Sequence, residues 1–172
     1  NIQDAISCMK SFKGTPGRLE LIREDSDSGT IFIDYAHTPD AFNNVLSTMN
    51  KVGGGRKIIT IFGCGGDRDR SKRPKMANIA EKYSSEVIAT SDNPRNENID
   101  SILNDIESGF ILKKHKIIKN RTEAIEFALS KMNNNTILLI LGKGRENYQL
   151  VNGRKNYHND LEIINTFYEN RN

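Results

Sequence analysis

The stretch that decides the fold runs from Lys57 to Arg95 and reads KIITIF (57–62), GCGGDRDRSKRP (63–74), MANIAEKY (76–83), VIAT (87–90) and SDNPR (91–95). The β-branched runs predict strands that are buried on both faces. The glycines between them allow a tight turn, and Pro74 has a φ suited to the first turn of a helix. Because both charged loops follow strands of one βαβ unit, we expect them at the sheet edge where ligands bind in open α/β folds.

Outside this stretch, strands and helices alternate along the chain. We predict strands over 18–23, 30–34, 115–118 and 136–141, helices over 39–49, 99–108, 121–132 and 160–168, and a β-hairpin of 148–151 with 154–157. A short amphipathic helix over 2–12 is expected to be a linker (1–13) from a preceding domain, and 14–172 is expected to be the domain proper. The alternation predicts an α/β fold with a mostly parallel sheet and helices on both faces.

The composition is typical of one globular domain with a hydrophobic core. The 172 residues include 25 basic and 22 acidic side chains, and a net charge of +3 is too small to indicate nucleic-acid binding. No apolar run approaches the ~20 residues of a membrane span, and no signal peptide is visible. Cys8 and Cys64 have neither metal nor redox spacing, so a cytoplasmic location is expected. Because the chain begins without methionine, we expect it to be part of a longer one.

Four predicted buried strands end in loops that are rich in glycine and in polar side chains. These loops begin at Asp34, Gly63, Ser91 and Gly142. The Gly63 loop lacks the Gly-Lys-Ser/Thr ending of a Walker A motif, and its third glycine does not match the dinucleotide-binding fingerprint. Four such loops at one edge of one sheet nevertheless predict a polar binding site.

The first of these loops, DYAHTPD (34–40), places a carboxylate at a strand end and an imidazole at a helix start. Such a carboxylate can accept hydrogen bonds from a ribose diol, and His37 would lie where a helix N-terminus binds phosphate. The alternative is that Asp34 caps the helix and that His37 is an ordinary surface histidine.

The third and fourth loops carry groups that suit a zwitterionic ligand. Asp92-Asn93-Pro94-Arg95 holds a guanidinium beside an amide and a carboxylate, and arginine offers a carboxylate two parallel donors. Glu146 offers an acceptor for an ammonium group. An amino-acid-like ligand fits this pattern, and so does a structural ion pair.

Five motifs in this order resemble the C-terminal domain of the Mur ligases: GTPGRLE (14–20), DYAHTPD (34–40), GCGGDRD (63–69) with KRP (72–74), TSDNPR (90–95), and GKG (142–144) with Glu146. The similarity is greatest to the branch that adds meso-diaminopimelate to UDP-N-acetylmuramoyl-L-alanyl-D-glutamate. The resemblance implies a Rossmann-like domain, with a C-terminal β-hairpin, that closes over ATP during peptidoglycan synthesis.

The resemblance also implies the chemistry and its participants. In this family ATP phosphorylates the D-Glu γ-carboxylate, the amine of the diamino acid attacks the acyl phosphate, and ADP and phosphate leave. The P-loop, the Mg²⁺ ligands and a carbamylated lysine belong to a central domain, so this chain is not expected to catalyse alone. The expected partners are the protein's own N-terminal and central domains and its substrates, with neither nucleic acid nor a membrane.

Residue by residue, the resemblance implies two sets of contacts. The ATP set is Arg18, Asp34, Tyr35 and His37, and the diamino-acid set is Arg68, Asp92, Asn93, Pro94, Arg95, Gly142 and Glu146. Lysine lacks the distal carboxylate of diaminopimelate, so binding lysine would leave a selecting arginine unpaired at a cost of about a few kcal/mol. Arg95 is the predicted specificity residue.

Because the sequence departs from the family pattern at two places, ligands other than diaminopimelate remain possible. Asn98-Ile99 stands where the family usually has a proline, and Arg145 stands where it often has histidine. Both lie beside the predicted pocket, so meso-lanthionine, which has the same distal carboxylate, remains an alternative to diaminopimelate. The alternative functions are a folylpolyglutamate synthetase-like ligase and a nucleotide-binding module without ligase activity.

Overall fold

A computed structural model describes residues 14–171 of the chain, and the helix predicted over 2–12 lies outside them. The strands are β1 (Glu20–Asp25), β2 (Gly29–Asp34), β3 (Lys57–Phe62), β4 (Glu86–Ala89), β5 (His115–Ile117), β6 (Thr136–Leu141), β7 (Tyr148–Val151) and β8 (Arg154–Tyr157). The helices are α1 (Pro39–Val52), α2 (Lys72–Tyr83), α3 (Ile99–Glu107), α4 (Arg121–Lys131) and α5 (Asp160–Glu169). None of these helices has the length and apolarity needed to cross a membrane.

A six-stranded sheet with the order β1-β2-β6-β3-β4-β5 forms the centre of the domain. Strand β1 pairs antiparallel with β2, and every other pairing in this sheet is parallel. The strands β7 and β8 form a separate antiparallel hairpin. The predicted fold class is therefore confirmed.

Helices cover both faces of the sheet, as the apolar strands predict. In β6, Leu139 and Leu141 pack into one core with α1, α2 and α3, whereas Leu138 and Ile140 pack into a second core with α4 and α5. All four of these side chains are fully buried. A strand buried on both faces has no solvent-facing side, so its polar chemistry is confined to the loops at its ends.

The predicted boundaries differ from the observed ones near turns. Strand β1 begins at Glu20 rather than Arg18, because Leu19 has a φ of +40° and its backbone N–H donates to the Asp34 carboxylate. Helix α2 begins at Lys72, so Pro74 is its third residue and lies in the first turn, as predicted. A proline is tolerated there because N–H groups of a first helical turn have no acceptor within the helix. At α5, the cap is Asn159, whose side chain accepts from Leu161 N–H.

Candidate functional site

A cavity of about 490 Å³ opens at the carboxyl edge of the sheet, between the loops that follow β2, β3, β4 and β6. These strands are adjacent and parallel, which is why the four loops meet. Of the predicted amino-acid set, six residues line the cavity: Arg68, Asp92, Asn93, Arg95, Gly142 and Glu146. Pro94 lines an adjacent cavity instead.

The loops after β3 and β4 pack directly on one another, and glycine makes this possible. Gly66 N–H donates to the Asn93 carbonyl at 2.9 Å, and a Cβ on Gly66 would overlap the Pro94 carbonyl. In the loop after β6, Gly142 has a φ of +109°, and a Cβ there would lie 2.8 Å from Asp92 Oδ2. A side chain at either glycine would push these loops apart.

The β7–β8 hairpin and the Gly66 loop hold Arg95 in place. Its backbone N–H donates to Leu150 at 2.8 Å, and its carbonyl accepts from Asn152 at 2.7 Å. Its φ of +54° is uncommon for a residue other than glycine. The guanidinium Nη1 donates to the Gly66 carbonyl at 2.8 Å. Among residues 14–171, Nε and Nη2 make no hydrogen bond, so two donors remain available to a ligand.

Arg68 lies on the same cavity wall as Arg95 but is less constrained. Its side chain is exposed, and Nη1 donates to the carbonyl of the neighbouring Asp67 at 3.3 Å. Lys72, which also lines the cavity, donates from Nζ to the His37 carbonyl at 2.8 Å. Three cationic side chains therefore border one cavity, and this arrangement favours an anionic group such as a carboxylate.

A buried polar cluster of Asp92, Asn93, Lys143 and Glu146 lies beside the cavity. Lys143 Nζ lies 3.0 Å from Glu146 Oε2 and 3.3 Å from Asn93 Oδ1, and Asn93 Nδ2 donates to Glu146 Oε2 at 3.0 Å. Burial opposes ionisation of Glu146, but the hydrogen bonds from Asn93 and Lys143 outweigh it and lower the pKa of this carboxyl. Burial raises the pKa of Asp92, although Lys143 and Arg121 act against that rise.

The predicted nucleotide set is divided between two cavities. A second cavity of about 380 Å³ is lined by Arg18 and Tyr35, and the Arg18 guanidinium lies 4.9 Å from the centre of the Tyr35 ring. His37 lines the first cavity, where its ring contacts Tyr35 edge-on. Tyr35 and Glu146 line both cavities and are joined by a 3.4 Å hydrogen bond.

Asp34 lines neither of these two cavities. It is 6% exposed, and its two carboxylate oxygens accept from the backbone N–H groups of Leu19 and Ala36, each at 2.6 Å. It does not cap α1, because Thr38 does so. Asp34 therefore holds the turn before β1 against the end of β2, and its contact with a ribose stays a prediction.

Two buried cations, Lys143 and Arg73, support the site and were not predicted from the sequence. Lys143 was visible as the centre of Gly-Lys-Gly, but nothing in the motif indicates that its side chain is fully buried. Arg73 is also fully buried, and it donates to the Gly65 carbonyl, to Glu97 and to Asp105. It thereby ties the loop after β3 to the segment that follows Arg95. The only sequence feature that could have indicated this ion pairing is the density of opposite charges in the loop after β3 and in the segment after Arg95.

Neither a metal cluster nor a reactive thiol was found in residues 14–171. These residues contain no group of three or more His, Cys, Asp or Glu side chains that could hold a metal ion. Cys64 borders the main cavity, but burial raises the pKa of its thiol to about 12. The thiol is therefore protonated at neutral pH and is a poor nucleophile.

The chain is similar to known proteins in sequence and in fold. The family model described as Mur ligase, glutamate ligase domain, matches residues 17–144. A UDP-N-acetylmuramoyl-L-alanyl-D-glutamate--2,6-diaminopimelate ligase of Prochlorococcus marinus is 44% identical over 164 residues, which are 95% of this chain and 32% of that protein. The chain thus spans about a third of the length of the curated relatives it matches.

Solved structures extend the comparison. A structure of a UDP-N-acetylmuramoyl-L-alanyl-D-glutamate--2,6-diaminopimelate ligase superposes with a TM-score of 0.85 at 36% identity, covering 99% of this chain and 35% of the other. The Mycobacterium tuberculosis folylpolyglutamate synthase complexed with ADP and AMPPCP superposes with a TM-score of 0.60 at 23% identity, covering 75% of this chain and 30% of the other. At this identity the similarity is one of fold alone. Because the family model matches most of this chain, the chain belongs to the Mur ligase family and contains that family's glutamate ligase domain.

Proposed function

We propose that this chain is the C-terminal domain of an ADP-forming ligase that adds meso-diaminopimelate to UDP-N-acetylmuramoyl-L-alanyl-D-glutamate. The observation that carries the proposal is the presence of Arg68, Arg95 and Glu146 around one cavity at the carboxyl edge of the sheet. The name of the relative at 44% identity supports the same reaction. In this proposal the domain extends over residues 14–172 and acts in the cytoplasm with the N-terminal and central domains of the same protein.

The amino-acid site has the charges that a double-headed substrate needs. Diaminopimelate carries an ammonium and a carboxylate at its distal end, whereas lysine carries an ammonium alone. In our proposal the free donors of Arg95, with Arg68 beside it, bind the distal carboxylate. Glu146 accepts from the distal ammonium, and Asp92, Asn93 and Gly142 line the surrounding wall. Pro94 lies outside this cavity and supports the wall by packing its carbonyl against Gly66. The amine at the other end of the substrate is then left to react.

The second cavity suits a nucleotide. Arg18 is exposed and lies over the Tyr35 ring, so the pair offers both a cation and an aromatic face, as ATP requires. We propose that Arg18, Tyr35 and His37 contact ATP, and that Asp34 contributes by holding the loop that carries Tyr35. ATP supplies the phosphoryl group that activates the acceptor carboxylate. We place the Mg²⁺ ligands in the central domain, because the described residues offer no cluster for a metal.

Alternative ligands differ in what they present to Arg95. Meso-lanthionine carries the same distal carboxylate and remains compatible with the site. Arg145, where the family often has histidine, is paired with Glu20 through two hydrogen bonds and does not enter the main cavity. This pairing removes one of the two departures that keep lanthionine as an alternative to diaminopimelate.

ADP release by the full-length protein tests the proposal. It is measured with the UDP-linked dipeptide and with meso-diaminopimelate, meso-lanthionine or L-lysine. We expect release with diaminopimelate, and none when the UDP-linked dipeptide is omitted. Preference for lysine would contradict the role of Arg95, and release with none of the three would favour a module without ligase activity.

A further inference from the structure

Lys143 is a fully buried cation at the edge of the proposed amino-acid site. It lies in the loop after β6, between Gly142 and Gly144, which both have positive φ. A hydrogen bond from Glu146 N–H to the Lys143 carbonyl closes the turn. The loop therefore folds back, and the lysine side chain points into the protein.

The surroundings of the ammonium are unusual because two carboxylates share it. Lys143 Nζ donates to Glu146 Oε2 at 3.0 Å and lies 3.9 Å from Asp92 Oδ1. A further donation goes to Asn93 Oδ1 at 3.3 Å. A cation without solvent exposure must be paired in this way to remain charged. The lysine thus contacts three of the residues proposed to line the amino-acid site.

The two carboxylate oxygens of Glu146 differ in their hydrogen bonds. Oε2 accepts from both Lys143 and Asn93. For Oε1, the described residues provide a single hydrogen bond, the long one of 3.4 Å from the Tyr35 hydroxyl. Oε1 is therefore the atom of this carboxylate that can accept from an incoming ammonium group.

We propose that Lys143 is a positioning residue, which fixes Oε2 of Glu146 so that Oε1 receives the distal ammonium of the amino-acid substrate. This inference rests on the proposed function. Without Lys143, Oε2 of Glu146 would keep only the hydrogen bond from Asn93, so more of the ordering of this carboxylate would fall to the substrate. Amino-acid binding should then weaken, and nucleotide binding should change much less, because Lys143 also lines the cavity of Arg18 and Tyr35 but has no exposed surface there.

The test uses the full-length protein with Lys143→Met, Glu146→Gln and the double variant. We expect Lys143→Met to raise KM for diaminopimelate about 10- to 100-fold, by analogy with the effect of removing a residue that orients a metal ligand. KM for ATP should stay within about twofold. Because Lys143 acts through Glu146, the double variant should be no worse than Glu146→Gln alone.

Two further variants make the result specific. Lys155→Met is the matched control, because Lys155 Nζ lies 4.3 Å from the centre of the Tyr148 ring, which Lys143 Nζ also approaches, yet Lys155 is exposed on the hairpin. It should leave both KM values unchanged. Lys143→Gln keeps an N–H donor, so it should raise KM for diaminopimelate less than Lys143→Met does.

The possible failures are distinguishable. If Glu146→Gln leaves KM for diaminopimelate unchanged, the proposed function of this site is wrong. If Glu146→Gln raises that KM but the effect of Lys143→Met is absent or simply additive, the positioning role is wrong. If thermal unfolding shows that neither Lys143 variant folds, the lysine serves stability alone, and the inference is overturned.

Discussion

The guanidinium of Arg95 donates a hydrogen bond to the carbonyl of Gly66, with 2.8 Å between Nη1 and the oxygen. A second bond, from Gly66 N–H to the Asn93 carbonyl, joins the same two loops. Arg95 therefore stabilises the wall of the cavity with one nitrogen and retains others for a ligand. Arg68 lies in the Gly66 loop, whose backbone these contacts fix against the loop that carries Arg95.

Replacing Arg68 by alanine should weaken use of the amino acid. A hydrogen bond to a charged group contributes about 1.5–3 kcal/mol, so we expect KM for diaminopimelate to rise roughly 10- to 100-fold in steady-state assays of the full-length protein. Arg70→Ala is the matched control on the same loop. Arg70 is bound to Asp105 through two hydrogen bonds and does not line the cavity. Equal effects of the two substitutions would contradict the assignment of Arg68.

Replacing Arg18 by alanine should weaken the binding of ATP and not that of the amino acid. An exposed cation–π contact contributes about 0.5–1 kcal/mol, so KM for ATP should rise roughly two- to fivefold, with KM for the amino acid unchanged. Arg23→Ala provides the comparison, because Arg23 also lies over an aromatic ring, that of Tyr168, but borders neither of the proposed sites. A larger change in KM for the amino acid than for ATP would show that Arg18 is misassigned.

A buried ion pair between Arg121 and Asp160 should govern much of the stability. Both side chains have no solvent exposure, and two hydrogen bonds of 2.9 and 2.7 Å join them. Arg121 also donates to the carbonyls of Leu141 and Ser91, at the ends of β6 and β4. Arg121→Met would leave the buried Asp160 carboxylate with His158 as its remaining side-chain partner, so the free energy of unfolding should fall by up to about 3–5 kcal/mol in urea titrations. A change below 1 kcal/mol would contradict this role.

The same pair predicts acid sensitivity. Burial opposes ionisation of Asp160, but the charge and hydrogen bonds of Arg121 outweigh it and hold the pKa of this carboxyl well below its ordinary value. Because the unfolded chain binds the proton more readily, the stabilisation is complete above the unfolded pKa of about 3.9 and is lost as the pH falls towards the folded pKa. The free energy of unfolding should therefore decline below about pH 5.

Asp160→Asn isolates this contribution to the acid sensitivity. The variant should be less stable at neutral pH and should show a shallower decline in acid. Some decline should remain, because hydrogen bonds from Arg73 to Glu97 and from Arg70 to Asp105 lower the pKa of those carboxyls as well. An unchanged slope of unfolding free energy against pH would exclude Asp160 as a source of the sensitivity.

Most of the fold could be predicted from the periodicity of apolar residues. The strands Lys57–Phe62 and Thr136–Leu141 and both strands of the hairpin have the predicted bounds, because their ends coincide with glycine or with an abrupt change to polar residues. The predicted and observed boundaries differ where tertiary contacts determine them. At β1, the start depends on a hydrogen bond from Leu19 to Asp34, a residue 15 positions away.

The location of the site could be predicted, but the burial and the hydrogen bonds of its side chains could not. Parallel strands bring their carboxyl ends together whatever the details of packing, so the meeting of four loops follows from the order of elements. Which oxygens are already hydrogen-bonded depends on long-range contacts. Asp34 has both oxygens in hydrogen bonds to the backbone, and Lys143 is fully buried, and neither fact is visible in a local motif.

The most direct test of the central claim is the ratio of kcat/KM for meso-diaminopimelate to that for L-lysine, measured in the full-length protein and in its Arg95→Ala variant. Our account predicts a ratio far above one in the unmodified protein, because lysine leaves the arginine without a carboxylate. It predicts a collapse of that ratio in the variant, with KM for ATP changed far less. A ratio that favours lysine, or one that survives the loss of Arg95, would contradict the account.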